Sequence, residues 1–296
     1  MNGLSGRVLR FPTKNPKNNK EILLLYGHHA SIERLSGFVE MLAKYGNVTV
    51  PDLPGFGGME SFYKINEKPT FDTFADYLYS FVKLNYKKKK IIIVGMSFSV
   101  PVYVRMLQKY PQIEKNVEYC ISLAGFVHHE DFKLPKKYTI PIKLLSKFFS
   151  KKVPAWFFEK FIIRDFIIKI TYYFGSNKSK KVINPNKEKY KQIQNFEINL
   201  WKINDLRTRM YTQIEMFRVD LCNIQINSPI MHMSVMGDIY FNNKIVEQHL
   251  QVIFKNYRSC ETSFDAHAPS VVVSAQELEP YIPKKISNLL KQLSKS

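Results

Sequence analysis

The stretch Ile91-Ile92-Ile93-Val94-Gly95-Met96-Ser97-Phe98-Ser99 decides the fold of this chain. Its four β-branched residues predict a buried strand, and a helical pattern from Phe98 to Tyr110 follows at once. Ser97 is therefore expected on a sharp turn from a strand into a helix, which lifts its hydroxyl clear of the sheet. Gly95 and Ser99 are small enough for the turn to close. The stretch predicts an α/β protein and makes Ser97 a candidate nucleophile.

Further apolar runs alternate with helical patterns along the chain. Unbroken apolar runs suit strands covered on both faces, so the alternation predicts a mostly parallel sheet with helices on both faces. The predicted strands are Glu21–Tyr26, Val48–Val50, Ile91–Val94, Glu118–Ala124, Pro229–Met236 and Glu261–Phe264, with an antiparallel edge strand at Gly6–Phe11. The predicted helices are Ser31–Tyr45, Thr70–Asn85, Phe98–Tyr110, Asn243–Phe254 and Ala275–Leu293, with Ser31 and Thr70 as N-caps and a bend near Pro280 or Pro283.

A gap of about a hundred residues interrupts this rhythm between Gly125 and Pro229, although a crossover with one helix needs far fewer. We expect residues 1–128 and 222–296 to form the core domain, and residues 129–221 to be inserted as a helical, basic lid. Within the insert, the pattern from Trp156 to Phe174 is apolar nearly all round, which is typical of a helix that is buried or faces lipid. Residues 175–186 predict an exposed loop.

Composition excludes several classes of protein. A chain of 296 residues with 45% hydrophobic residues predicts a globular fold, and it contains no apolar run of the length that spans a membrane. Its N-terminus lacks the apolar core of a secretory signal, so a cytosolic location is expected. The three cysteines, Cys120, Cys222 and Cys260, show no metal-ligand spacing. No glycine-rich phosphate loop or nicotinamide signature is found, so neither a cofactor nor a metal is expected.

The formal net charge is +19, and it is uneven. Between Phe132 and Tyr190, fifteen lysine and arginine residues stand against three acidic residues. Such a density attracts anionic lipid headgroups or acidic proteins, so peripheral contact with an anionic membrane or an acidic carrier protein is a second expectation. The alternative is compositional drift in a chain rich in lysine, asparagine and isoleucine. No specific nucleic-acid binding is expected, because no recognised motif accompanies the charge.

The partners that a serine nucleophile needs follow later strands. Asp238 comes after the strand that ends at Met236, and His267 comes after the strand that ends at Phe264. A general base and an orienting acid are what activate a serine, and the chain order serine, aspartate, histidine suits a nucleophile on a sheet of this kind. Asp131 is the competing acid. The structural alternatives are helix caps for Ser97 and Asp238 and a surface loop histidine for His267.

Four features together resemble the α/β-hydrolase superfamily in its lid-bearing, esterase- and lipase-like branch. They are Tyr26-Gly27-His28-His29, Pro51-Asp52-Leu53-Pro54-Gly55-Phe56-Gly57, the Ser97 turn, and the Asp238 and His267 positions. The resemblance implies an oxyanion hole formed by the backbone N–H groups of His28 and Phe98. The chain departs from the family at Tyr26, where histidine is usual, and at Ser99, where glycine is usual. Dehalogenases and epoxide hydrolases of this fold carry aspartate at the nucleophile position.

The sequence therefore predicts a carboxylesterase- or lipase-like serine hydrolase that cleaves an ester or thioester through a Ser97 acyl-enzyme. An apolar acyl substrate is favoured, such as a monoacylglycerol, a lysophospholipid or an acyl chain on an acidic carrier. The residues expected to line the pocket are Gly27, His29, Met96, His128 and Trp156. The alternative function is a non-catalytic binding or scaffold protein on the same fold, with its basic lid contacting anionic lipid or an acidic partner.

Overall fold

A seven-stranded sheet runs through the described part of the chain. The computed structural model describes residues 3–13, 15, 18–87, 89–169, 187–264, 267 and 274–295. The strands are β1 Val8–Phe11, β2 Glu21–Leu25, β3 Asn47–Pro51, β4 Ile91–Met96, β5 Val117–Leu123, β6 Ile230–Val235 and β7 Tyr257–Thr262. They are ordered β1-β3-β2-β4-β5-β6-β7. The pair β1 and β3 is antiparallel and every other pair is parallel, which confirms the predicted sheet.

The central strands β2, β4 and β5 form the middle of the core. Leu23 lies opposite Ile93, which in turn lies opposite Cys120, and all three side chains are fully buried. Consecutive side chains of a strand point to opposite faces, and in these three strands nearly all of them are buried. Both faces of the sheet are therefore covered, as the unbroken apolar runs predict. Because parallel strands end at the same edge, the loops that follow β2, β4, β5 and β6 meet at one edge of the sheet.

Ten α-helices lie wholly within the described residues. They are α1 Ser36–Leu42, α2 Phe71–Tyr86, α3 Ser99–Lys109, α4 Lys136–Phe149, α5 Lys152–Phe161, α6 Lys187–Ile203, α7 Leu206–Met216, α8 Asn243–Ile253, α9 Ala275–Leu278 and α10 Lys284–Lys295. Thr70 caps α2 as predicted, since its hydroxyl accepts the N–H of Thr73. Ser31 precedes a 3-10 turn, Ile32–Leu35, and its side chain makes no capping hydrogen bond.

The last strand and the C-terminal helix differ from their predictions. β7 covers Tyr257–Thr262, so the predicted strand, Glu261–Phe264, lies several residues too late. As an edge strand, β7 carries mostly half-buried and exposed side chains, and no unbroken apolar run marks it. The predicted single helix is two helices, α9 and α10, separated by a 3-10 turn and Pro283. Proline lacks the N–H that a helix interior requires, which explains the break.

Helices α4 to α7 lie between β5 and β6, and we call this part of the chain the β5–β6 segment. The aromatic stretch that begins at Trp156 is not part of the core, because Trp156 is 54% exposed and Phe166 is 65% exposed. Of the two alternatives, burial is therefore wrong for most of the described part of this stretch, although Ile168 is buried, and contact with lipid stays a prediction. Residues 170–186, which hold the rest of the stretch and the predicted loop, lie outside the described residues. Among the described residues, no helix is both long enough and apolar enough to cross a membrane.

Candidate active site

Ser97 lies between the end of β4 and the start of α3, on the predicted turn. Its φ is +50°, a left-handed conformation that is uncommon for a residue with a side chain. Its N–H donates to the carbonyl of Leu123 at 2.9 Å, which fixes the turn against β5. Space at the turn is tight: a Cβ on Gly27 would lie 3.3 Å from that of Ser97, and one on Gly95 would lie 2.6 Å from the Tyr103 ring. Small residues at positions 27 and 95 therefore let the turn close.

Ser99 is one of the two departures from the family pattern, and its contacts show why the turn accepts a serine. Its side chain is fully buried, and its hydroxyl lies 2.8 Å from the N–H of Met96 and 3.1 Å from the carbonyl of Leu25. The hydroxyl thus occupies the inside of the turn and satisfies backbone groups there. A serine at this position is compatible with the same turn.

His267 and Asp238 meet Ser97 at the carboxyl edge of the sheet. The His267 Nε2 lies 2.9 Å from Ser97 Oγ, and its Nδ1 lies 2.7 Å from Asp238 Oδ2. The other Asp238 oxygen, Oδ1, accepts the N–H groups of Tyr240 and Phe241. Burial acts to raise the pKa of Asp238, but its hydrogen bonds, above all the one to His267, hold that pKa below the ordinary value. The carboxylate is thus kept ionised beside the imidazole.

Asp131, the competing acid, belongs to a different histidine. Its side chain is fully buried, and its Oδ1 lies 2.6 Å from His249 Nδ1. Its Oδ2 accepts the N–H groups of Val127 and His128. The structure thus brings Asp238, and not Asp131, to His267.

The two residues expected to form the oxyanion hole lie side by side. Phe98 precedes α3, His28 follows β2, and their ring centroids are 5.4 Å apart. In the described part of the chain, no hydrogen bond uses the backbone N–H of either residue. The His28 Nε2 is 2.8 Å from Thr212 Oγ1. Burial and the neighbouring cation of Arg209 lower the pKa of His28 to about 3, so its imidazole is neutral.

Tyr26 is the other departure from the family pattern, and its hydroxyl contacts the loop after β3. Its hydroxyl accepts the N–H of Leu53 at 2.6 Å and lies 3.2 Å from an oxygen of Asp52. Arg7 Nε donates to the other Asp52 oxygen at 2.7 Å, yet burial raises the pKa of Asp52 to about 6. Tyr26 and Arg7 thus fasten the loop after β3, which lies next to the loop that carries His28. The sequence did not predict a role for Arg7, since no local pattern links it to Asp52.

The β5–β6 segment contacts the same loops through residues that the sequence did not single out. Asn204 is buried; its Oδ1 accepts the N–H of Gly57 at 2.7 Å, and its Nδ2 is 3.1 Å from His29 Nδ1. Trp201 packs edge-on against the His29 ring at 5.1 Å, and the Arg209 guanidinium stacks over Trp201 at 3.6 Å. Helices α6 and α7 are therefore seated directly on the loop that holds His28 and His29.

Of the residues expected to line a pocket, the structure places Met96 at a cavity and the others elsewhere. Met96 and His267 line a small apolar cavity of about 30 Å³, together with residues such as Leu123, Phe264 and Tyr281. Gly27 abuts Ser97, and His29 lies in the Asn204 and Trp201 cluster. His128 and Trp156 do not line this cavity. His128 lies instead beside His129 and His249, and Trp156 is exposed next to Lys160 and Phe161.

Comparison with known proteins identifies a fold. No protein-family model matches this chain, and no curated protein matches it in sequence. Solved structures do match. An esterase from Exiguobacterium antarcticum superposes with a TM-score of 0.69 at 15% identity, covering 99% of this chain and 97% of its own. A hydrolase from Oleispira antarctica gives a TM-score of 0.67 at 11% identity, covering 96% and 94%.

An epoxide hydrolase, CorEH, also superposes, with a TM-score of 0.66 at 14% identity over 98% of this chain and 99% of its own. These identities are too low to transfer an activity, but the superpositions span almost the entire length of each chain. The strand order, the turn at Ser97 and the positions of Asp238 and His267 agree with the expectation drawn from the sequence. The chain therefore has the α/β-hydrolase fold.

Proposed function

We propose that this chain is a serine hydrolase that cleaves a carboxylic ester or thioester through an acyl-enzyme on Ser97. One observation carries the proposal: a continuous path of hydrogen bonds runs from Asp238 through His267 to Ser97. A serine hydroxyl needs both a base and an orienting acid to act as a nucleophile, and this path supplies them in the required geometry. That esterases share the fold supports the same reaction class.

In the proposed mechanism, His267 Nε2 accepts the Ser97 proton while Ser97 Oγ attacks the substrate carbonyl. Asp238 holds the imidazole with its Nδ1 proton facing the carboxylate and stabilises the imidazolium. The N–H groups of His28 and Phe98 donate to the oxyanion, and one such donor accounts for about 10²–10³ in kcat. His267 then protonates the leaving group and activates the water that hydrolyses the acyl-enzyme.

The test is covalent labelling by a fluorophosphonate probe, which reacts with activated serines. Wild-type protein should be labelled at Ser97, and Ser97→Ala should not be labelled, although its melting temperature should match that of the wild type. Heat-denatured wild type controls for non-specific labelling. If the folded wild type remains unlabelled, or if Ser97→Ala is labelled equally, the proposed nucleophile is wrong.

The substrate class that we propose is an ester with an apolar acyl chain. The apolar lining beside His267 and the exposed apolar and basic side chains of α4 and α5 support it. A set of p-nitrophenyl esters of increasing chain length tests this proposal. Turnover should rise from acetate to medium chains, whereas a preference for acetate would contradict an apolar acyl substrate.

A non-catalytic binding protein is the second candidate function. The exposed hydrophobic residues of α4 and α5, interspersed with lysines, favour it. Labelling separates the two candidates: the binding protein predicts salt-sensitive association with an anionic partner without labelling of Ser97, whereas the serine hydrolase predicts that Ser97 is labelled.

A further inference from the structure

A cluster of histidine and acidic side chains lies where the two ends of the β5–β6 segment meet. The His128 ring centroid is 4.2 Å from that of His129 and 4.3 Å from that of His249. His128 Nδ1 lies 3.8 Å from Glu130 Oε2, and its Nε2 lies 3.8 Å from Asp220 Oδ2. None of these residues takes part in the proposed catalytic mechanism.

Three of these side chains converge on one point. A ligand atom from each of His128, Glu130 and His249 lies within 4.8 Å of the other two. The buried carboxylate of Asp131 is 2.6 Å from His249 Nδ1, which leaves the Nε2 of that ring as the available nitrogen. A carboxylate that orients a histidine in this way is the usual outer partner of a metal-binding imidazole.

We propose that His128, Glu130 and His249 bind a divalent transition-metal ion, with Zn²⁺ as the best match. Two imidazoles and one carboxylate are ligands that Zn²⁺ accepts, and a water completes such a site. Ligand bonds of about 2 Å require the three atoms to move somewhat closer together. Glu130 can make this movement, because its side chain is 66% exposed and contributes from the protein surface.

The position of the cluster gives the metal a structural role. His128 forms an antiparallel bridge with Asp220, and the N–H of His129 donates to the carbonyl of Val219, so the two ends of the β5–β6 segment meet here. His249 comes from α8, a separate element of the core. A bound metal would tie the base of the segment to α8. Because Ser97, Asp238 and His267 are not ligands, the proposal stands independently of the proposed hydrolase activity.

The test uses full-length protein stripped of metal with a chelator and titrated with ZnCl2 by calorimetry. One Zn²⁺ should bind per chain and raise the melting temperature, since a ligand that binds only the folded state stabilises it. MgCl2 should not, because Mg²⁺ prefers oxygen ligands. Glu130→Gln and His249→Gln should each weaken Zn²⁺ binding by at least about tenfold. Glu130 is exposed, so its variant keeps the test valid if His249→Gln fails to fold.

Two controls locate the site. Glu40→Gln makes the same change at an exposed carboxylate on α1 and should leave Zn²⁺ affinity unchanged. His267→Ala should also leave it unchanged, which separates this site from the proposed catalytic histidine. The proposal is overturned if Zn²⁺ does not bind saturably, if Glu130→Gln binds as tightly as wild type, or if His267→Ala abolishes binding.

Discussion

At the scale of single residues, the proposed nucleophile is held in a conformation that an isolated serine avoids. Ser97 has a φ of +50°, and residues in such regions persist only where their surroundings determine the backbone. Two features hold the Ser97 backbone in this conformation: its N–H donates to the carbonyl of Leu123, and Gly27 beside it has no side chain. The conformation presents Oγ to His267 at 2.9 Å, so the strain lies at the atom that the proposed mechanism uses.

The two aspartates make a direct prediction for activity. Asp238→Asn should lower kcat for an ester by about 10⁴, because an amide favours the wrong histidine tautomer and cannot stabilise the imidazolium. Asp131→Asn should affect kcat far less, since Asp131 faces His249. The measurement is kcat of both variants with the same p-nitrophenyl ester. Equal losses, or a larger loss in Asp131→Asn, would contradict the assignment of the acid.

A buried histidine predicts how stability depends on pH. His232 is 2% exposed, its Nδ1 is 2.9 Å from Ser122 Oγ, and burial lowers its pKa to about 4. The unfolded chain protonates this ring near its ordinary pKa of about 6.5, whereas the folded chain keeps it neutral until about pH 4. The contribution of His232 to the free energy of unfolding therefore falls as the pH drops from about 6.5 to about 4, by about 1.4 kcal/mol per pH unit.

Urea unfolding at about pH 7, 6 and 5 measures that slope. In His232→Gln, which keeps a hydrogen-bonding side chain beside Ser122, the fall in stability between these values should be smaller than in wild type. His28, with its pKa of about 3, adds a slope of the same sign in both proteins. A variant with an unchanged slope would show that His232 does not control this dependence.

The sequence predicted the residues that follow strands, and it missed those whose roles depend on side-chain contacts between loops. Ser97, Asp238 and His267 each occupy a position that strand order alone brings to one edge of the sheet. Tyr26 was recognised only as a departure, because its contact with Asp52 depends on how two loops pack. Such side-chain contacts leave no periodic signal, and they become visible only in three dimensions.

At the scale of elements, the β5–β6 segment contacts the loops that lie beside Ser97. Thr212 of α7 and Asn204, which lies between α6 and α7, contact His28 and His29 in the loop after β2. Asn204 also binds the N–H of Gly57 in the loop after β3. One buried amide therefore joins the segment to two loops beside Ser97, and we expect the position of the His28 N–H to depend on it.

Asn204→Ala tests this dependence. Loss of the acceptor for the Gly57 N–H should cost about 1–3 kcal/mol of stability, because that N–H is buried. The kcat for an ester should also fall, with little change in KM, if the variant loosens the proposed oxyanion hole. The measurements are the melting temperature and ester kinetics. Asn223→Ala, at an exposed position, is the matched control and should change neither. A stable Asn204→Ala protein with normal kcat would refute the link.

The prediction of elements succeeded where burial was continuous and failed where it was partial. The runs that gave β2, β4 and β5 are buried on both faces, and their sequences read as strands without ambiguity. β7 is an edge strand with half-exposed side chains, so its position was predicted several residues too late. The aromatic stretch that begins at Trp156 resembles a core helix in composition, yet its described side chains are largely exposed.

At the scale of the whole molecule, charge and exposed apolar surface coincide. On α4 the large exposed residues are Tyr138, Ile140, Leu144, Leu145 and Phe148, and on α5 they are Val153, Trp156, Phe157 and Phe161. Lysines such as Lys147, Lys151 and Lys160 stand exposed among them. Large exposed apolar side chains are typical of interaction sites, and exposed lysines attract anionic partners. We therefore propose that α4 and α5 contact an anionic lipid surface.

This surface predicts binding to vesicles. Co-sedimentation should rise with the fraction of phosphatidylglycerol in phosphatidylcholine vesicles and fall with added salt, because lysines near the surface gain about 1 kcal/mol each. Trp156→Ser should weaken partitioning by roughly tenfold, since burying such a side chain in the interface contributes about 1.5–3 kcal/mol. Leu84→Ser, at a residue 63% exposed on α2, removes an apolar side chain elsewhere and should leave binding unchanged.

Binding that does not depend on lipid charge, or that weakens equally in both variants, would mean that α4 and α5 do not form the contact. An acidic carrier protein that binds the wild type but not Trp156→Ser would then become the better partner, because it would use the same lysines without a bilayer.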